Sequence, residues 1–504
     1  PPFEVEHLNL AATSTAPSSI LVGRGNNLFN RITGSTGADS IDGLGGDDTL
    51  TGAAGSDTLL GGEGKDRLFA YVANAKDPIA NILDRLEGGL GDDLYEIDSA
   101  NDLVIENPGE GLDTLRSWVT FTLGQNVEVL QLLGTIEALN GFGNGLDNGL
   151  TGNAGNNRLE GGDGNDTLTG GLGSDTLVGG SGNDRLFGLV ANAQNPNDGD
   201  RMEGDAGDDL YQVDSTNDVV VENPDSGYDR VQCWNSYTLG ANVEDLILLG
   251  TTGNTFLAGN ELNNVLIGNS GINLLSGMGG ADSMYGGGGS DSYDVNDVGD
   301  YVIELVGGGT GDVVYSRLTS YTLPDNVEGL SMLGISSRNG TGNSLANTLV
   351  GNEFNNRLDG GIGADSVYGL AGADWIAGGA GNDSLIGGTG GDTFVFDTTL
   401  NATPNVDRIS DFNGTPDPVT GEQDHLWLDD AVFTAFTGLS SIAGSALLSG
   451  AGLTKASSVD HRLIYNTTTG ALYYDPDGVG GTAETQFALL TNRAVLDSTD
   501  FLVG

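Results

Sequence analysis

The sequence predicts an all-β fold, an elongated parallel β-roll or β-solenoid, and three observations predict it. Glycine supplies 85 of the 504 residues, more than twice the usual share of about 7%, without the Gly-X-Y period of collagen. Asp39, Asp48, Asp57 and Asp66 fall nine residues apart, each followed two positions later by Ile or Leu, and a fixed short period signals stacked identical units. The stretches between such runs are rich in Val, Ile, Tyr and Thr with alternating patterning, which reads as strands.

Composition narrows the function. With 71 acidic against 18 basic residues, the net charge is −53, so nucleic acid and anionic membranes are poor partners and cations are needed instead. No apolar run reaches 18 residues, so no transmembrane helix, and no membrane insertion, is expected. Cys233 is the single cysteine and forms no intrachain disulfide. Ser117 and Ser316 take its place in the repeat, so it reads as a small packed residue.

Taken in order, residues 1–24 form an incomplete N-terminal module of entry strands, because Val5-Glu6-His7-Leu8-Asn9-Leu10 matches Val243-Glu244-Asp245-Leu246-Ile247-Leu248 within a later module. A chain entering mid-module is expected to expose an unpaired edge, which an upstream segment or a second copy docked head-to-tail would cover. The opening Pro1-Pro2-Phe3 has neither an initiator Met nor a signal-peptide pattern, so either an upstream piece is removed or export uses another signal.

Segment 25–142 is a first roll plus a β insert, 143–258 a second roll plus insert, 259–341 a short third roll plus insert, and 342–398 a fourth roll. Each opens on a similar phrase, beginning at Gly25-Asn26, Gly143-Asn144, Gly259-Asn260 and Gly342-Asn343. The opening coils carry Asn at the position where later coils carry Asp, as at Asn30, Asn148, Asn157, Asn264, Asn273, Asn347 and Asn356. An amide closes a turn by hydrogen bonding without attracting a cation, so these coils are expected to bind cations weakly or not at all.

The inserts repeat a second motif, DDLYEIDSANDLVIENPGEG from Asp92 and DDLYQVDSTNDVVVENPDSG from Asp208, with a variant from Ser290. They are expected to continue the parallel stack with wider coils, with Trp118 and Trp234 buried. Residues 69–83 and 187–199 interrupt two rolls and are expected to project as loops or one short helix.

The nonapeptides, of the form G-G-x-G-x-D-x-U-x, resemble the RTX (repeats-in-toxin) family of secreted calcium-binding proteins. Glycine allows the tight turn, the sixth-position Asp offers a carboxylate, and Ca²⁺ takes several oxygens of both carboxylate and carbonyl kind. The candidate ligands for multiple Ca²⁺ ions are Asp39, Asp48, Asp57, Asp66, Asp84 and Asp93 in the first roll, and Asp166, Asp175, Asp184, Asp200 and Asp209 in the second. Asp282 and Asp291 serve the third roll, and Asp365, Asp374, Asp383 and Asp392 the fourth. The expected rank puts the first, second and fourth rolls above the Asn-led coils.

Residues 399–504 read as a C-terminal cap. The segment DTFVFDTTL…DRISDFNG…DHLWLDD resembles the one that ends the roll of serralysin-type secreted metalloproteases, and the closing Asp500-Phe501-Leu502-Val503 resembles an uncleaved type I secretion signal. The resemblance implies export to the cell surface or medium, in a bacterium using a type I system. Asp475-Pro476-Asp477-Gly478 matches only the start of an EF-hand loop, since Val479 and Gln486 stand where ligands are needed.

Catalytic signatures are absent. The sequence has no H-E-x-x-H, no G-x-S-x-G elbow with a histidine partner and no phosphate loop, and its three histidines, His7, His425 and His461, are far apart. The expectation is therefore a non-enzymatic structural or adhesive protein of a surface layer, filament or matrix. Two other readings stand beside it: the folding and secretion region of a larger enzyme or toxin, and a carbohydrate-active or polysaccharide-binding protein.

Overall fold

The computed structural model describes residues 6–10, 20–71, 82–189, 199–250, 253–401, 405–416 and 421–504. Of the two expected interruptions, residues 72–81 and 190–198 lie outside the described residues. The chain forms two compact units, Pro1–Leu249 and Gly250–Gly504. Both are built almost wholly of short strands; among the described residues the helical segments are three 3-10 turns in the second unit.

A glycine-rich turn followed by three or four strand residues explains the coil. Each strand carries one inward side chain, the next turn reverses the chain, and the following strand faces the first across a thin core. Strands two repeats apart therefore pair in parallel and in register, as Ile41 with Leu59 and Leu59 with Leu86 on one face. On the opposite face of the first unit, Ile32, Leu50, Leu68, Tyr95, Leu115 and Leu130 stack as consecutive partners. All six are essentially inaccessible to solvent. Each coil thus adds a buried apolar rung that covers its neighbours, which is how a chain with few hydrophobic residues keeps a dry core.

The inserts continue the same stack, as expected, but their coils vary in width. Tyr95 pairs with Leu115, Leu115 with Leu130, and Leu130 with Leu150, so a narrow coil lies between two wide ones. Cys233, Ser117 and Ser316 are buried at the ends of equivalent strands, and burial pushes the Cys233 thiol up to about 12. Trp118 and Trp234 are half-buried rather than buried, because both lie just past the strand, where the chain leaves the core; the Trp118 indole N–H donates to the Tyr71 hydroxyl.

In the second unit the cap grows out of the solenoid. Asp407–Ile409 pairs in parallel with Thr485–Leu490, which continues through antiparallel partners Ala471–Tyr474 and Leu463–Asn466. The switch to antiparallel pairing ends the repeat geometry. Phe501–Val503 is a strand paired with His425–Leu428, entered from a 3-10 turn whose Asp497 and Asp500 form a reciprocal capping box. No described helix is long and apolar enough to cross a membrane.

Candidate metal centre

Each repeat turn holds its Asp in the same way. The Oδ1 atom accepts a hydrogen bond from the backbone N–H of the equivalent residue one coil earlier. Asn30 donates to Asp48 at 2.6 Å, Asp48 to Asp66 at 2.6 Å and Asp66 to Asp93 at 2.7 Å. The same rungs link Asn148, Asp166, Asp184 and Asp209 in the second roll, and Asn356, Asp374 and Asp392 in the fourth. A second column runs through Asp39, Asp57 and Asp84, through Asn157, Asp175 and Asp200, and through Asn347, Asp365 and Asp383. Asp282 and Asp291 take matching rungs from Asn264 and Asn273.

The other oxygen is left over. In Asp48, Asp66, Asp93, Asp166, Asp184, Asp209, Asp291, Asp365, Asp374 and Asp392 the Oδ2 atom is buried and receives no hydrogen bond. It lies over the first glycine of its turn, where a side chain would collide. A Cβ on Gly161 would stand 2.1 Å from Asp166 Oδ2 and 2.7 Å from the carbonyl oxygen of Gly179 one coil on. At Gly369 the corresponding distances are 2.3 Å to Asp374 Oδ2 and 2.5 Å to Gly387 O. The following glycine, Gly162, is held at φ +116, a backbone region open to glycine and costly for other residues. Carboxylate and carbonyl oxygens from adjacent coils therefore converge on one cradle, the mixed oxygen set that suits Ca²⁺.

Without a cation the electrostatics are adverse. Burial raises Asp48 to about 7, with Asp66, Asp47 and Asp42 adding repulsion and the Asn30 amide pulling the other way. Burial likewise raises Asp166, Asp365 and Asp392 to about 7, and Asp93 and Asp209 to about 8. A divalent ion in the cradle restores the charged form and supplies the missing partner.

The Asn-led coils are self-contained. Asn148 Oδ1 accepts the N–H of Asn144, four residues back in its own turn, at 2.7 Å, and its amide donates to the carbonyls of Val127 and Glu128. Asn347 is held identically by Asn343, Val327 and Glu328. Asp39 resembles them: Ser35 N–H reaches its Oδ2 and Leu21 N–H its Oδ1. Its turn reads Gly34-Ser35-Thr36-Gly37, and Ser35 lacks the positive φ held at the same place by Leu44 in the Asp48 turn and Gly62 in the Asp66 turn.

Reasoning from the nonapeptide missed further rungs. Asp113, Asp229 and Asp312 accept the amides of Asp93, Asp209 and Asp291, while Asp102, Asp218 and Asp300 extend the other column. Asp407 and Asp424 extend both columns into the cap. Coils of unequal width hide Asp113, Asp229, Asp312, Asp407 and Asp424 from a nine-residue count, whereas Asp102, Asp218 and Asp300 keep that count after Asp93, Asp209 and Asp291 but are not preceded by G-G-x-G. The phrases Val-Glu or Ile-Glu followed by Gly-x-Asp or Gly-Asp were the available signal for Asp113, Asp229 and Asp312. Three carboxylates approach within 4.8 Å at Asp93, Glu106 and Asp113, and again at Asp209, Glu222 and Asp229, at Asp291, Glu304 and Asp312, and at Asp200, Asp214 and Asp218.

A parallel β-solenoid whose turns carry half-satisfied, buried aspartates is a calcium-binding repeat protein. Its repeats match the RTX calcium-binding nonapeptide repeat family over residues 24–59, 43–71, 142–188, 258–293, 341–376 and 359–394, so the chain carries RTX repeats in several copies and its cofactor is multiple Ca²⁺. The chain is also 40% identical over 68 residues to Endo-1,3-1,4-beta-glycanase ExsH of Rhizobium meliloti (strain 1021), a stretch covering 14% of each chain. It thus spans a small part of that relative's length.

Proposed function

We propose that this is a secreted structural or adhesive protein of the cell surface or extracellular matrix, without catalytic activity, that folds when it meets calcium outside the cell. The observation supporting this is the series of buried Oδ2 atoms with no protein partner: folding without a cation buries charge uncompensated, so binding free energy becomes folding free energy. Extracellular calcium modules bind at about 10⁻⁴–10⁻³ M, which keeps such a chain unfolded before export and folded after it. RTX proteins are typically exported by type I systems, and the cap and the strand Phe501–Val503 are the segments assigned here to that signal. Self-association into a filament or lattice belongs to the same reading.

Circular dichroism at neutral pH in excess EGTA should show mostly coil, and restored calcium a β spectrum; a native β spectrum in chelator at neutral pH overturns the mechanism. Light scattering and negative-stain microscopy with and without millimolar calcium test assembly, and a monodisperse folded monomer at high concentration overturns it. The similarity to a glycanase favours a second reading, a carbohydrate-active or carbohydrate-binding role, which hydrolysis of a 1,3-1,4-β-linked glycan or binding on a glycan array would establish.

A further inference from the structure

The inserts hold carboxylates that the repeat motif does not account for. In the stack, Ile105 pairs with Glu87, so Glu106 stands opposite Gly88, the first glycine of the preceding turn. Where an ordinary coil would offer another glycine there, the insert offers a glutamate. The substitution recurs at Glu222, opposite Gly204, because Val221 pairs with Glu203. It recurs at Glu304, opposite Gly286, because Ile303 pairs with Tyr285.

Each glutamate enters the cradle of the turn before it. A Cβ on Gly204 would stand 2.0 Å from Asp209 Oδ2, 2.2 Å from the Tyr211 hydroxyl and 2.6 Å from Glu222 Oε1. On Gly286 the same three groups, from Asp291, Tyr293 and Glu304, lie at 2.4, 2.1 and 2.5 Å. The tyrosine is the inward residue of its strand, fully buried. Its one proton is already committed, since Tyr95, Tyr211 and Tyr293 donate to Glu106, Glu222 and Glu304. It has none to give to the aspartate. Asp93, Asp209 and Asp291, each at most 2% exposed, keep an Oδ2 without a hydrogen bond, aimed into this space. The third carboxylate, Asp113, Asp229 or Asp312, brings its oxygen within 4.8 Å of the other two.

We propose that Asp93–Glu106–Asp113, Asp209–Glu222–Asp229 and Asp291–Glu304–Asp312 are three closing calcium sites, distinct in ligand class from the repeat sites. In the repeats a carboxylate is joined by a carbonyl of the next coil; here the next coil supplies carboxylates. Oxygens up to 4.8 Å apart suit a shared ion with Ca–O distances of about 2.3–2.6 Å. Three negative ligands raise affinity for a hard divalent cation above that of a mixed site, since ligand charge sets calcium affinity. These ions are the first to bind and the last to leave, and they seal each roll against its insert. The inference rests on the calcium reading of the repeats.

Native mass spectrometry of the full chain at stepped free calcium tests it, using Glu106→Gln, Glu222→Gln and Glu304→Gln, which keep the tyrosine's acceptor. Each variant should hold one ion fewer than the parent at the lowest calcium concentrations, and the triple variant three fewer. Asp374→Asn should lose ions only at higher calcium. Unchanged ion numbers and midpoints in the glutamine variants overturn the closing sites while leaving the repeat sites standing; a parent chain that binds no calcium overturns both. Should a glutamine variant fail to fold, Tyr211→Phe retains all three carboxylates. Terbium emission excited through tyrosine should then fall with the number of bound terbium ions unchanged, and undiminished emission counts against the site.

Discussion

Asp374 and Asn347 sit at equivalent turn positions and differ by an oxygen exchanged for an amide, yet their surroundings diverge. Asn347 accepts from its own turn and donates to two carbonyls. Asp374 spends one oxygen on the Asn356 amide and leaves the other bare. Removal of the two side chains should therefore act on different quantities. Asp374→Ala should weaken calcium binding at its coil by tenfold or more, because an ionic ligand is lost. Asn347→Ala should lower stability by about 1–3 kcal/mol through unsatisfied backbone, with calcium affinity nearly unchanged. Calcium titration of the two variants decides the matter, and equal losses of affinity would contradict the assignment.

The coil is the element, and its first member differs from the rest. Asn148 is at once a rung of the ladder and a lid on the preceding insert, through Val127 and Glu128. Asn148→Asp places a carboxylate against those carbonyls, so it should destabilise the roll by about 1–3 kcal/mol without adding a bound ion; thermal melts in excess calcium, together with ion counting, would show it. This division was legible in advance, because Asn and Asp alternate in register with the roll openings and the two side chains differ in charge. The ladder from amide to carboxylate was not legible, since it depends on two coils being stacked. Nor was the meeting of Glu106 and Asp113 with Asp93: the 13-residue step from Asp93 to Glu106 recurs from Asp209 to Glu222 and from Asp291 to Glu304, but only stacked coils turn that step into neighbouring carboxylates. Asp39 shows the converse case. The nine-residue register groups it with Asp48, but Ser35 lacks the positive φ that Leu44 adopts at the same place in the Asp48 turn, and its amide closes on its own turn's carboxylate.

Across the whole molecule, proton and calcium compete for the same oxygens. Asp48, Asp166, Asp365 and Asp392 rise to about 7, and Asp93 and Asp209 to about 8, chiefly by burial. Unfolded aspartate titrates near 3.9, so the cation-free fold binds more protons than the unfolded chain through the interval between. Its stability is greatest below about pH 4 and falls as pH rises through about 7–8. Chelated protein should therefore gain β structure on mild acidification and lose it at neutral pH, while calcium-loaded protein should show the opposite trend, since ligands must be deprotonated to bind. Circular dichroism against pH in EGTA and in calcium checks both signs; coil at every pH in EGTA would remove the proton's role.

The rungs all lean the same way. Every one runs from an amide to the carboxylate of the coil that follows, from Asn356 to Asp374, Asp374 to Asp392, and Asp392 to Asp424, where Asp424 Oδ2 meets the amide of Asn413 within the cap. The stack consequently has an arrow. A coil's buried amide finds its acceptor only when its successor is in place, so in the fourth roll these rungs favour order spreading backwards along the chain, from the cap toward Asn356, against the strand bonds from Trp375 N–H to Asn356 and from Thr393 N–H to Asp374 that run the other way. Time would be written into the protein as direction: in pulse-labelled hydrogen exchange after calcium addition, the amide of Asp392 should gain protection before that of Asp374, and Asp374 before Asn356. The opposite sequence would mean that the asymmetry of the bonds leaves no trace in the order of events.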